Sequence, residues 1–531
     1  MKSRIVLAAA LMTLTAGSVF AQKTEKTVDE VRIYINPGHG SWTANDRPMQ
    51  TIGREAYSST DTDTTGFFES NTNLQKGFAL LDKLVEIGVP FNREANQTGD
   101  NPARIGAALD LSQHIVMSHV KAGPYPNVAK DDPAADDYNR SLTEIREEVE
   151  ANNFDIFISI HSNAASEGSS TNYPLFLYRG KDDGTYAAGD SKEMCTHIWP
   201  YTYNNAHQVW SYYSATNPNV RGDVSFYGEG YETENNGNIY VGYLGVLRHG
   251  VPGFLVEGYF HTYQPSRQRA MNFDVDRHEG ELYARGLIDY MGWTPETKGE
   301  IYGIVRDLHE KFSDKLYSPA ARSNDVYKPL NGVVVKLFKD DVEVATYTTD
   351  NEWNGAFLFN GLEPGTYTIS YAAEGYKEAF EEYLQPITVE ANKTAYITAF
   401  LEAEGYEPPA IVYENYLDAL DGKGGYSVAG TYNMTKIGET LSPLAEQLAG
   451  KTVRRQILRG NILYVLALDE ANEPYIYAAN INDNTVTEIS TAGTTLEGNR
   501  TLKISDIAFS ADNVLIATNY GENQYSDSQV A

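Results

Sequence analysis

Four side chains stand where this chain could carry out hydrolysis: His39, Glu69, His161 and Glu257. Each histidine closes an apolar run. Val31 to Asn36 reads as a strand that stops at Pro37-Gly38-His39-Gly40, and Phe154 to Ile160 as a buried strand that stops at His161-Ser162-Asn163-Ala164. Chemistry in open α/β sheets collects at the carboxyl ends of strands. Glu69 falls at a predicted helix start, where a carboxylate is electrostatically favoured. Glu257 ends a third buried run, Gly253 to Val256. Two histidines and a glutamate are a ligand set that leaves one position of a tetrahedral zinc open. Such an ion polarises a carbonyl and makes water more acidic. A further carboxylate must then carry the proton to the leaving nitrogen. His39, Glu69 and His161 fit the ligand roles, and Glu257 fits the base. The plainer alternatives are a helix-start carboxylate for Glu69 and an ion pair with Arg248 or Arg93 for Glu257.

The other histidines divide in two. His114, His119, His197, His207, His278 and His309 lie in helical or irregular polar segments and read as surface or locally hydrogen-bonded imidazoles. His249 and His261 flank the third strand and are candidates for a pocket.

Strands and helices must alternate to bring the four residues together. Leu74, Phe78, Leu81 and Val85 keep helical spacing until Gly88 and Pro90. Val89 to Arg93 reads as a short strand, Arg140 to Asn152 as a helix, and Pro174 to Tyr178 as a strand. Residues 94–138 contain an exposed Gly/Pro/Asp-rich loop, and residues 179–240 read as an irregular insertion walling a groove. A helical segment from Pro265 to Met291 closes the unit. The pattern implies an α/β domain, a mixed sheet wrapped by helices.

From Gly299 the texture changes to short strands with turn signals such as Asn354-Gly355 and Pro364-Gly365. This predicts a small β-sandwich over 299–402. Beyond the Pro408-Pro409 linker, strands in 411–531 suggest propeller-type hairpins, enough for one or two blades where a closed ring needs at least about four. The chain is therefore expected to be multidomain, with catalytic residues in 29–293 and none in the tail, so 299–531 is expected to be dispensable for the chemistry.

Composition sets outer limits. At 531 residues the chain exceeds a single core, and its formal net charge of −30 argues against a nucleic-acid or anionic-membrane partner. Lys2 and Arg4 followed by the apolar run Ile5 to Phe20 read as a signal peptide over 1–21, cleaved after Val19-Phe20-Ala21. That predicts export to the periplasm or cell exterior, with no transmembrane segment after signal removal. Cys195 is the only cysteine, so no disulfide forms within the chain.

Four segments carry a resemblance. Asn36-Pro-Gly-His-Gly40, Gly66-Phe-Phe-Glu69, Ile158-Ser-Ile-His-Ser-Asn-Ala164 and Val251-Pro-Gly-Phe-Leu-Val-Glu-Gly-Tyr-Phe260 resemble, in order, the signatures of zinc-dependent N-acetylmuramoyl-L-alanine amidases of the type called amidase 3. The resemblance implies Zn2+ held by His39, Glu69 and His161, with Glu257 as general base. It implies peptidoglycan or muropeptides as substrate, cut between the lactyl group of N-acetylmuramic acid and L-alanine. Thr349-Asp350, Gly355-Ala-Phe357, Leu362 to Tyr367 and Gly375-Tyr376 resemble the carboxypeptidase-regulatory-like sandwich, a spacer or adhesive module that would leave the tail to bind other wall or surface components. A competing expectation is a non-catalytic wall- or glycan-binding protein retaining the same fold. A zinc carboxypeptidase fits poorly, because Trp42 stands where that chemistry needs a glutamate.

Overall fold

The computed structural model describes residues 26–40, 49–54, 66–93, 107–120, 140–205, 207, 213–235, 237–407, 442–471, 473–489, 495–496, 500–501, 504–510, 514–519 and 529–530. The expected signal peptide over 1–21, the loop over 123–137 and Pro408-Pro409 lie outside these residues. The chain divides into two compact units after Tyr406.

The first unit opens with strand β1 (Ile33–Pro37), helix α1 (Glu69–Glu86), β2 (Ile115–Met117), α2 (Leu142–Ala151), β3 (Ile156–Asn163) and β4 (Leu175–Tyr178). It continues through α3 (Ser191–Thr202), β5 (Val220–Gly222), α4 (Asp223–Tyr227), the hairpin β6 (Tyr231–Asn235) and β7 (Asn238–Gly242), β8 (Gly253–Phe260), α5 (Gln264–Arg269) and α6 (Phe273–Met291). Six strands form one sheet in the order β2-β1-β3-β8-β4-β5. β1, β2, β3 and β8 run parallel, whereas β4 is antiparallel to β8. The sheet is mixed, with helices on both faces, as the alternation of elements predicts.

Strand alternation decides which residues face which layer. Ile33, Ile35, Ile156, Ile158, Phe254 and Val256 pack with Leu74, Leu81 and Leu84 of α1 and with Tyr283 and Leu287 of α6. Tyr34, Phe157, Leu177 and Leu255 face the other way, onto Ile145 and Val149 of α2. Helix α2 starts on a capping box. Ser141 Oγ accepts from Glu144 N at 3.2 Å, and Ser141 N donates to Glu144 Oε2 at 2.6 Å. Such a cap contributes about 1 kcal/mol.

Three segments differ from their sequence reading. Val89 to Arg93 makes no strand. A three-residue edge strand, β2, lies within 94–138, where the sequence suggests only a loop, because so short a run has no readable period. The insertion 179–240 holds α3, β5, α4 and the β6–β7 hairpin. In α3, Met194, Cys195, Ile198 and Trp199 bury one face, and the internal Pro200 obscures that periodicity.

A β-sandwich follows within the same unit. One sheet joins β9 (Gly299–Lys311) to β10 (Tyr327–Pro329), β13 (Ala356–Leu362) and β16 (Thr394–Leu401); the other runs in the order β12 (Val342–Thr348), β11 (Val334–Lys339), β14 (Gly365–Ala372), β15 (Ile387–Val389). Val305, Val335, Leu337, Phe357 and Ile369 form its core.

The second unit contains a four-stranded antiparallel sheet of Thr452–Arg459, Ile462–Leu468, Pro474–Asn480 and Val486–Ile489, with a smaller three-stranded sheet starting at Ile504–Phe509. Among the described residues the four-stranded sheet has the strand content of one blade, the three-stranded sheet is one strand short of a second, and no closed ring forms.

Candidate metal centre

Pro37 ends β1, and Gly38 N donates to Ile160 O at 2.7 Å, turning the chain across the tip of β3. A Cβ on Gly38 would lie 2.1 Å from Cε1 of His161, so any side chain here would displace that ring. His39 then takes a left-handed backbone, φ +71°, which is uncommon for a residue with a side chain and typical of functional turns. The rings of His39 and His161 lie 5.2 Å apart at 69°.

Glu69 is the first residue of α1 and enters between them. Its Oε2 lies 3.1 Å from His39 Nε2, and its Oε1 lies 3.4 Å from His161 Nδ1. Oε1 also accepts from Ser162 N at 2.8 Å and from Asn73 Nδ2 at 3.4 Å. Burial alone would raise the Glu69 pKa. The His39 charge and the hydrogen bonds from His161 and His39 more than reverse this and hold the carboxyl well below the usual range. Burial, the leading influence on His161, lowers its pKa and favours a neutral ring. One donor atom from each of His39, Glu69 and His161 lies within 4.8 Å of the others. An ionised carboxylate and a neutral imidazole are the protonation states that a cation requires. The donor set fits a divalent metal.

Glu257 faces the same cleft. It sits opposite His161 in the β3–β8 register, and both line a cavity of about 230 Å³ with His39, Glu69, Ser162 and His261. Burial, then the negative charge of Glu69, pushes the Glu257 carboxyl up to about 8; His39 and Lys76 pull it the other way. Its Oε2 is buried without a hydrogen-bond partner. The ion pair that would have explained Glu257 plainly does not form. Arg248 donates to the carbonyls of Gly242 and Tyr243, and Arg93 lies 3.7 Å from Asp82.

All four residues singled out in the sequence therefore meet at one strand-end cleft. Of the two flanking histidines, only His261 joins them. Its Nδ1 lies 2.9 Å from Ser162 Oγ and 3.8 Å from Glu69 Oε2. Its signal in the sequence is the one His39 and His161 share, a histidine just past a buried strand. His249 lies at the other end of β8, edge-on to Phe157. His207 and His278, expected to be bland, are buried. His207 Nε2 lies 3.2 Å from Glu279 Oε2, and His278 Nδ1 lies 2.9 Å from Glu300 Oε1. Their carboxylate partners stand on α6 and β9, too distant in sequence to read as pairs.

Comparison with known proteins adds the following. The family described as "SpaA: Prealbumin-like fold domain" matches residues 322–402, within the sandwich. Comparison with curated proteins finds no match. Among solved structures, the chain is similar to an N-acetylmuramoyl-L-alanine amidase from Clostridium difficile 630, at 18% identity and TM-score 0.30, over 49% of this chain and 97% of that one. It is similar to the catalytic domain of CwlV, N-acetylmuramoyl-L-alanine amidase from Bacillus (Paenibacillus) polymyxa var. colistinus, at 13% identity and TM-score 0.30, over 50% and 99%. The N-acetylmuramoyl-L-alanine amidase AmiC2 of Nostoc punctiforme matches at 17% identity and TM-score 0.30, over 49% and 97%. No helix among the described residues is long and apolar enough to cross a membrane.

Proposed function

We propose that residues 29–293 are a zinc-dependent N-acetylmuramoyl-L-alanine amidase, exported to act on peptidoglycan. The observation that carries this reading is one cleft holding three metal donors within 4.8 Å of one another and the buried, unpaired Oε2 of Glu257. The four motif resemblances supply the substrate. His39, Glu69 and His161 would hold Zn2+. The ion, when bound, supplies Lewis acidity: it polarises the scissile carbonyl and makes water more acidic.

The chain's own groups do the rest. Ser162 N and Asn73 Nδ2 fix the Glu69 carboxylate, as supporting hydrogen bonds do around metal ligands. Glu257 takes a proton from the attacking water at Oε2 and returns it to the departing amide nitrogen. A carboxyl with a raised affinity for protons suits both halves of that transfer. The β-sandwich over 299–402 and the β-rich region over 411–531 carry no part of this constellation. The sandwich is assigned to support of the catalytic fold, and the tail to binding of other wall or surface components.

Incubating the zinc-loaded protein with muropeptides and weighing the products tests the proposal. Free stem peptide beginning with L-alanine is expected. Full metal content with intact muropeptides would instead favour a non-catalytic wall-binding protein on the same fold.

A further inference from the structure

The strand end that carries Glu257 is tied into the β-sandwich by a continuous hydrogen-bonded path. The ladder between β3 and β8 loses its register between His161 and Asn163, so regular pairing fails at the site itself. Beyond that point Phe260 N donates to Asn172 Oδ1 at 3.0 Å, and His261 N donates to Asn163 O at 2.9 Å. Asn172 Nδ2 donates to Ser266 Oγ at 3.0 Å and to His207 O at 3.2 Å. That carbonyl also accepts from Ser266 Oγ at 2.8 Å and from Arg269 Nη2 at 2.7 Å. Arg269 Nη1 donates to Asp325 Oδ1 at 2.9 Å. Asp325 belongs to the sandwich, where it also accepts from Arg306 Nη2 of β9 at 3.0 Å. Its Oδ2 takes the Tyr263 hydroxyl at 2.9 Å, two residues after His261. Arg269, Arg306 and Asp325 are all buried.

A second buried cluster joins the same two parts of the unit without reaching the site. Glu300 of β9 accepts from Arg285 at 2.7 Å and lies 2.9 Å from His278, with Thr394 and Tyr396 beside them. Its members stand on α6, β9 and β16, and among the described residues none bonds to β8 or to the segment after it. The two clusters therefore separate holding the sandwich on from holding the site in shape.

We propose that Asp325 is a positioning residue for the active site: through Arg269 and Tyr263 it fixes the end of β8 and the His261 segment that follows. The sandwich is then part of the active unit. The activity part of this inference rests on the amidase reading; the structural part does not.

The test uses the full-length protein as wild type, Asp325→Asn, Tyr263→Phe and Glu300→Gln. It measures hydrogen exchange over residues 257–263, thermal unfolding, and kcat and KM on muropeptides. Asp325→Asn and Tyr263→Phe are expected to raise exchange in that segment about ten-fold. They should lower kcat on the order of 10²-fold, the cost of an ångström of misplacement, with KM little changed. Glu300→Gln should lower the unfolding temperature yet leave the segment's exchange and kcat at wild-type values. Tyr263→Phe keeps the buried charges paired and carries the test should Asp325→Asn fail to fold. Wild-type exchange over 257–263 in the folded variants, or an equal rise in Glu300→Gln, would overturn the proposal. An inactive wild type would refute the amidase reading alone, since the exchange comparison still decides the role of Asp325.

Discussion

Glu257 and Glu69 are both buried carboxyls in one cleft, yet their surroundings push them in opposite directions. Glu69 has three histidines around it and is held ionised. Glu257 has burial and the Glu69 charge against it and favours its proton. That division matches a ligand and a proton carrier, the positive charge of a bound cation favouring the ionised form that a base requires. Glu257→Gln preserves size and the metal donors, so zinc content and fold should be unchanged while turnover falls on the order of 10²–10⁴-fold. Product release counted by mass spectrometry checks this, and near-normal turnover would remove Glu257 from the role. His161→Ala deletes one of three donors. Metal analysis of the dialysed variant should find the zinc gone, and a full equivalent would place the ligand elsewhere.

At the scale of elements, two short turns do most of the positioning. Gly38 leaves room for the His161 ring, and its backbone is in a region open to any residue, so Gly38→Ala changes sterics and little else. The added methyl would sit 2.1 Å from the ring. The variant should keep its circular dichroism and lose its zinc, an outcome metal analysis reads directly. The far end of β8 shows a different burial effect. Burial and the nearby Arg179 charge push His249 from 6.5 down to about 3. Between those values the unfolded chain binds a proton that the folded one refuses, so stability falls as the pH drops below about 6.5. The slope from this one group is at most about 1.4 kcal/mol per pH unit. His249→Phe should flatten the urea midpoint between pH 6.5 and 3 by that contribution. An unchanged pH profile would show that His249 is protonated in the fold.

Across the whole first unit, the sandwich is joined to the α/β domain by buried ion pairs. The sequence reading treats everything after Gly299 as dispensable, because no catalytic cluster lies there. The structure buries Arg269 against Asp325, and Arg285 and His278 against Glu300. A chain ending at residue 295 would strand those charges, and removing one partner of a buried pair typically costs about 3–5 kcal/mol. Such a truncation is expected to aggregate or to lack a cooperative thermal transition. A chain ending at Tyr406, the boundary between the two compact units, should keep both the transition and the chemistry. A folded, active 22–295 fragment would show that the ion pairs are not needed.

The four residues that meet in the cleft carry local signals in the sequence, a polar group interrupting or following an apolar run. His39 stands past the Pro37-Gly38 turn that ends β1 and Glu69 opens α1, whereas His161 and Glu257 sit inside β3 and β8, whose apolar runs stop before the strands do. His261 carries a signal of the same kind, and His249 differs only in lying at the wrong end of its strand. The α/β alternation and the sandwich were legible for similar reasons, since strand and helix periods are local. What tertiary structure decided was pairing across distance. No local pattern joins Asp325 to Arg269 and Arg306, Glu300 to Arg285, or Ser162 to His261. Burial strengthens these contacts by removing water, and only the folded chain determines which groups are buried together.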